Sequence, residues 1–186
     1  MSGALVIPIA ALFLPRTILL IALGVITFVV LAFELIRLKV PAVNRWFLSF
    51  FKPLLRGGEV SHFTGTGYTL LGALIAFLVF PRDIAVVAVS FLAVGDAMAT
   101  VVGKWIGKTM LLGKGKTLEG SLACFVSCLI VGLIGYYAGL DVGLLAVAVG
   151  ALGAAIIEAI PLPLPLNDNL TIPVFAGLVM VAVHYI

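Results

Sequence analysis

The sequence predicts an all-α fold: a polytopic membrane helix bundle of about six transmembrane helices, preceded by a short N-terminal apolar segment. Three observations predict it. Of 186 residues, 63% are hydrophobic and 10% charged, against about 25% charged in a soluble domain, so a water-facing surface has little to be made from. Apolar runs near the ~20 residues that cross a bilayer recur along the whole chain. The charges collect in a few short stretches between those runs. No polar or low-complexity linker divides the chain, and residues 1–186 read as one transmembrane domain.

In order, the first apolar stretch is 4–14, bounded by Pro15-Arg16. At 11 residues it is too short to cross. Nothing positive precedes it and no small-residue cleavage site follows, so it is not a signal peptide. It reads as the back half of a membrane helix whose other half would lie upstream of Met1. The spans proper are 17–33, 64–80, 84–102, 118–138, 143–160 and 170–186. Cys124 and Cys128 lie four apart on one face of the fourth span, too poor a set for a metal site, and read as small packing residues. His62 and His184 have no metal-ligand partner in sequence.

Orientation follows the Lys and Arg residues. Arg37, Lys39, Arg45, Lys52 and Arg56 lie in 34–63, and Lys104, Lys108, Lys114 and Lys116 in 103–117. Only Arg16 and Arg82 fall on the other side, and nine against two puts both long connections in the cytoplasm. The net charge of +3 thus belongs to one membrane face and gives no reason to expect nucleic acid. Six acidic residues gather on that face as well: Glu34, Glu59, Asp96, Glu119, Glu158 and Asp168, with Asp83 and Asp141 left outside. Carboxylates and lysines converging from separate segments suit a site that handles a charged cytoplasmic ligand beside lipid.

Asp96 is the most informative single residue. It sits within an apolar span, where a carboxylate costs several kcal/mol unless it is paired, metal-bound or facing water. On a helix it shares a face with Thr100, Gly103 and Gly107; Gly103 and Gly107 also match the small-residue motif for helix packing. Next comes Gly113-Lys-Gly-Lys-Thr-Leu-Glu-Gly-Ser121, a glycine-rich basic loop running into a helix, which provides N–H groups and positive charge for phosphates. It is not a P-loop, because position 110, where that pattern needs glycine, is Met. The third piece is Glu158 followed by prolines and Asn167-Asp168-Asn169. That turn holds oxygen donors suited to Mg²⁺ or Ca²⁺, and it equally suits a helix cap.

Together these pieces resemble a known family. Gly95-Asp96-x-x-Ala99-x-x-x-Gly103-x-x-x-Gly107, Gly115-Lys-Thr-x-Glu-Gly-Ser121, Glu158 and Asp168-Asn169-x-x-x-Pro173 are similar to the CTP-dependent lipid kinases. These are the dolichol (polyprenol) kinases, phytol kinases and fungal-type diacylglycerol kinases, with relatives labelled phosphatidate cytidylyltransferases. Phe33-Glu-Leu-Ile-Arg37, Leu55-Arg56-x-x-Glu59 and Thr64-Gly65 extend the resemblance over nearly the whole chain. It implies transfer of the γ-phosphoryl group of CTP to a lipid hydroxyl, a polyprenol first among them, with a divalent cation. It further implies Asp96, Lys116 and Glu119 as catalytic residues and Asp96, Glu158 and Asp168 as metal ligands. Gly103, Lys104, Gly107, Lys114, Lys116, Thr117, Gly120, Ser121, Arg56 and Asn169 would bind CTP.

At two places the chain departs from the family pattern. Position 167 is Asn where relatives have Asp, and no Arg-Lys-x-x-His stretch precedes the first helix. Such a stretch is expected to be encoded in frame upstream. Two other classes fit the same residues: a cytidylyltransferase that makes a CDP-lipid, and a cation-coupled transporter using Asp96 and Glu158.

Overall fold

A computed structural model of the chain describes residues 2–52, 55, 60–111, 115–161 and 167–185, with the backbone alone at 2 and 3. A 3₁₀ turn, Ser2–Leu5, leads into eight α-helices: α1 (Val6–Phe13), α2 (Arg16–Lys39), α3 (Pro41–Phe51), α4 (Gly65–Val79), α5 (Arg82–Ile106), α6 (Leu118–Tyr137), α7 (Leu144–Ala159) and α8 (Asp168–His184). No strand occurs among the described residues. Three helices, α2, α5 and α6, are long and apolar enough to cross a membrane, while α4, α7 and α8 are apolar but shorter. At 1.5 Å per residue these shorter helices are about 22–26 Å long, somewhat under the ~30 Å of a hydrocarbon core.

The middle of the bundle is α5. Every residue from Ile84 to Ala93 is buried, because α5 packs against α1, α4, α6, α7 and α8. A helix apolar all round needs that position. The outer helices instead show wide apolar faces, with Ile18, Ile21, Phe28 and Val29 of α2 and Leu122, Val126 and Ile130 of α6 exposed. Hydrocarbon, unlike water, tolerates such faces. Cys124 and Cys128 pack as expected: a Cβ built on Gly95 would lie 2.9 Å and 2.7 Å from their sulfurs.

One expectation is corrected here. The segment 34–63, read as a connection, is largely helical: α2 runs on to Lys39, and α3 follows from Pro41. Pro41 suits the first helical position, and the side chains of α3 pair at i, i+4, with Trp46 edge-on to Phe50 and Phe47 stacked on Phe51. An 11-residue amphipathic helix with no buried residue lacks the long apolar signature of a span.

The two ends of the bundle differ in kind. At one end Arg16 donates to the carbonyls of Phe77 and Phe80 at the C-terminus of α4, at 3.0 Å and 3.3 Å. Arg82 donates to the carbonyls of Ala11 and Leu14, closing the C-terminus of α1. Carbonyls left over at a helix end carry partial negative charge, which a guanidinium neutralises. Both cations at this end are therefore helix caps. The other end carries the remaining described lysines and arginines.

Candidate functional site

At that second end α6 begins where α5 stops. Thr109 and Leu118 pair through the Leu118 N–H at 2.9 Å, and the Leu111 N–H reaches the Lys116 carbonyl at 3.0 Å. Residues 109–111 and 115–118 thus pair as a short hairpin, with Gly115 at φ +90°, a conformation that favours glycine. Thr117 caps α6 by accepting the Gly120 N–H at 3.2 Å. Its side chain is wedged against α5: Cβ atoms on Gly103 and Gly107 would meet the Thr117 hydroxyl at 3.0 Å and 2.8 Å. On Gly120 a Cβ would sit 2.9 Å from the Ala99 carbonyl. The three glycines let α5, the hairpin and α6 touch backbone to backbone. Glu119 accepts the Thr109 N–H at 3.1 Å and 3.2 Å, tying the base of the hairpin.

The hairpin delivers Lys116 to two carboxylates from distant helices. Its Nζ donates to Asp168 at 2.7 Å and to Glu158 at 3.0 Å. The Ser121 hydroxyl lies 2.8 Å from the other Glu158 oxygen. Asp168 is the first residue of α8, positioned by Asn167, whose side chain accepts the Asn169 N–H at 2.9 Å. Burial by itself would lower the Lys116 pKa. The hydrogen bond and charge of Asp168, then those of Glu158, outweigh it and hold the ammonium above the usual lysine value. Side-chain exposure is 20% for Lys116, 19% for Asp168 and 7% for Glu158, so the group is reachable from solvent.

Asp96 lies elsewhere, on the wall of a neighbouring cavity of about 800 Å³ that it shares with Asn169, Glu34 and Thr64. Asn169 also donates to the Gly65 carbonyl at 3.3 Å. The structure thus gathers Lys116, Ser121, Glu158 and Asp168 into one cluster and puts Asp96 and Asn169 together beside it. Lys104 is exposed on the last turn of α5. Arg56 and Lys114 fall outside the described residues. Among the described residues, no three His, Cys, Asp or Glu side chains come together closely enough to hold a metal ion. Glu158 and Asp168 form a carboxylate pair with Lys116 between them.

Sequence reasoning missed a second polar cluster, one helix away. Arg37, with no exposed surface, donates to Glu34 at 2.6 Å, to the His62 carbonyl at 2.7 Å and to Asn44 at 3.1 Å. Its guanidinium also lies over the Phe47 ring, 4.9 Å from the centroid. The Thr64 hydroxyl donates to the other Glu34 oxygen at 2.7 Å. The signal available was the i, i+3 spacing of a carboxylate and an arginine near the end of an apolar helix.

No family model and no solved structure matches the chain. It is 29% identical to an uncharacterized protein of Rickettsia prowazekii, over 92% of this chain and 85% of the relative. It is 37% identical to a CTP-dependent diacylglycerol kinase of Schizosaccharomyces pombe, over 50% of this chain and 43% of the relative. To a chloroplastic protein of Triticum aestivum named a probable phytol kinase it is 32% identical, over 62% of this chain and 42% of the relative. The chain thus spans less than half the length of either named kinase. With the apolar helices and the cluster of Lys116, Glu158 and Asp168, these likenesses support a resemblance to the CTP-dependent lipid kinases.

Proposed function

We propose that this chain is a CTP-dependent lipid-alcohol kinase, moving the γ-phosphoryl group of CTP to the primary hydroxyl of a membrane lipid and releasing CDP. The observation that carries the reading is the charge imbalance of the Lys116 cluster, where two carboxylates meet one ammonium. Phosphoryl transfer asks a protein mainly to position two reactants and to neutralise charge. Glu158 and Asp168 supply oxygen donors of the kind that hold Mg²⁺ or Ca²⁺, with triphosphate oxygens and water completing the shell. Such a cation would supply charge neutralisation at the transferring phosphoryl oxygens. Lys116, a compact point charge, would turn from the carboxylates to the phosphates. The first turn of α6, opened by Thr117, Gly120 and Ser121, offers N–H groups to the same anion. Asp96 stands by as the group nearest the incoming lipid, and Lys104, Lys114 and Arg56 add positive charge around the nucleotide.

In this reading residues 1–186 act as one catalytic domain. Six helices cross the bilayer, α2 and α4 through α8, with the shorter three spanning by local thinning. The lysine-rich end, and with it the site, faces the cytoplasm. The names of the relatives favour diacylglycerol or a phytol-like alcohol as acceptor; polyprenols, first by resemblance alone, belong in the same assay.

The test is a product analysis. Purified protein with labelled CTP and diacylglycerol, phytol or a polyprenol should yield lipid monophosphate plus CDP. A CDP-lipid with pyrophosphate would make it a cytidylyltransferase. No product with any alcohol would overturn the kinase reading and leave transport to be measured.

A further inference from the structure

The cavity beside the Lys116 cluster has walls of two kinds. Toward the charged end lie Glu34, Thr64, Thr69, Asp96 and Asn169. Deeper along the same helices the lining is apolar, with Ile7, Ile26, Val30 and Leu92. Its volume, about 800 Å³, falls in the range of small-molecule sites. Val6, Ile26 and Phe51 line it and are also exposed on the outer surface, at 65%, 51% and 42%. The mouth therefore opens through an apolar flank, where a bilayer lies against the bundle. The two adjoining residues Asp168 and Asn169 divide between the compartments: Asp168 binds Lys116, and Asn169 lines the cavity.

One more property narrows the occupant. The ionisable side chains on the described wall are the carboxylates Glu34 and Asp96, and no Lys or Arg lines it. Arg37 balances Glu34, so this end offers hydrogen-bond acceptors to a hydroxyl. We propose that this cavity is the acceptor site, taking a neutral lipid alcohol head-first with its hydroxyl between Asp96 and Asn169. This rests on the kinase reading for its consequence. The hydroxyl oxygen bonds to the γ-phosphorus as the bond from that phosphorus to the β,γ-bridging oxygen breaks. CDP departs and the hydroxyl proton passes to the Asp96 carboxylate.

Binding can be read without turnover. Full-length protein in nanodiscs is photolabelled with a fatty alcohol bearing a diazirine midway along its chain, and labelled residues are mapped by mass spectrometry. Label is expected on Ile26, Val30 and Leu92, displaced by dioctanoylglycerol. Val30→Trp, which fills the apolar part, should cut the labelling and raise the KM for alcohol about tenfold, the scale of a small misfit in an apolar pocket, with the KM for CTP unchanged. Should that variant misfold, Ile26→Trp at the exposed mouth serves instead. Label confined to outward residues such as Phe28, or label that dioctanoylglycerol does not displace, overturns the proposal. Correct labelling in a wild-type protein that transfers no phosphate would leave the cavity standing and remove the kinase reading. Unchanged alcohol KM in an active, folded Val30→Trp would do the reverse.

Discussion

Two polar clusters sit at the same end of this bundle and are built from the same chemistry, a basic side chain against carboxylate. Among the described residues the charges around Arg37 balance one to one, the guanidinium is fully buried, and neighbouring carbonyl, amide, hydroxyl and ring groups contact the pair. Around Lys116 one ammonium faces two carboxylates and all three side chains keep some exposure. Arginine's rigid fork suits a permanent, multiply bonded pair, and lysine's flexible point charge suits a partner that is exchanged. The first cluster is a closed structural joint between α2, α3 and the start of α4. The second has surplus negative charge and a reachable cation, the state of a site that still expects a ligand.

The largest effect should come from breaking the closed joint. Arg37→Ala leaves Glu34 buried without its cation, which for a buried pair costs about 3–5 kcal/mol. Thermal unfolding in detergent should show a large fall in Tm. A loss below 1 kcal/mol, a threshold typical of exposed pairs, would mean that the two clusters do not differ as described.

Asp96→Asn comes next, and its effect should be on turnover alone. Expression and insertion should be intact, while kcat falls by about 10²–10³, the usual consequence of losing one such electrostatic group. Retention of more than about a tenth of wild-type turnover would remove Asp96 from the chemistry.

Lys116→Ala tests the open cluster directly. The KM for CTP should rise, or kcat fall with it, by roughly 10² on the same scale, with the lipid requirement nearly unchanged. Lys116→Arg should restore only part of the loss, since a planar fork does not replace a point charge. If only lipid dependence moved, Lys116 would not be the phosphate clamp.

The smallest effect concerns pH. The Lys116 pKa is raised in the folded protein, so the stabilisation that follows from it is fully present below the unfolded lysine value of ~10.4 and is lost as pH climbs through the higher folded value. Tm differences between wild type and Lys116→Met should therefore stay flat from pH 6 to about 9 and shrink only above ~10.4. A difference that vanished below pH 9 would mean the ammonium is not held by Asp168 and Glu158.

Much of this was legible in the chain. The spans at 64–80, 118–138, 143–160 and 170–186 coincide with α4, α6, α7 and α8 to within two residues. Asp96 announced itself by lying in an apolar run, and Thr117 by opening a helix. Other features were not legible. The hairpin that aims Lys116 depends on the Leu118 N–H donating to the Thr109 carbonyl and the Leu111 N–H to the Lys116 carbonyl. The count of external cations treated Arg16 and Arg82 as topology signals, and only their acceptors reveal them as caps on α4 and α1. Glu34 and Arg37 passed as part of a family pattern because nothing in one helix says that its end is walled in by α3 and Thr64.

What the sequence determined by itself was the apolar helices, α2 and α4 through α8, and which charges would flank them. In a bilayer every backbone group must be satisfied within its own segment, so apolar length and flanking charge suffice to write the secondary structure. What only the tertiary structure decided was partnership. Lys116 meets Glu158 and Asp168, 42 and 52 residues away, because glycines at 103, 107 and 120 let α5, the hairpin and α6 close to backbone contact. Those distances depend on how three helices cross, and a crossing is settled by the packing of small side chains across the interface, which no single segment contains.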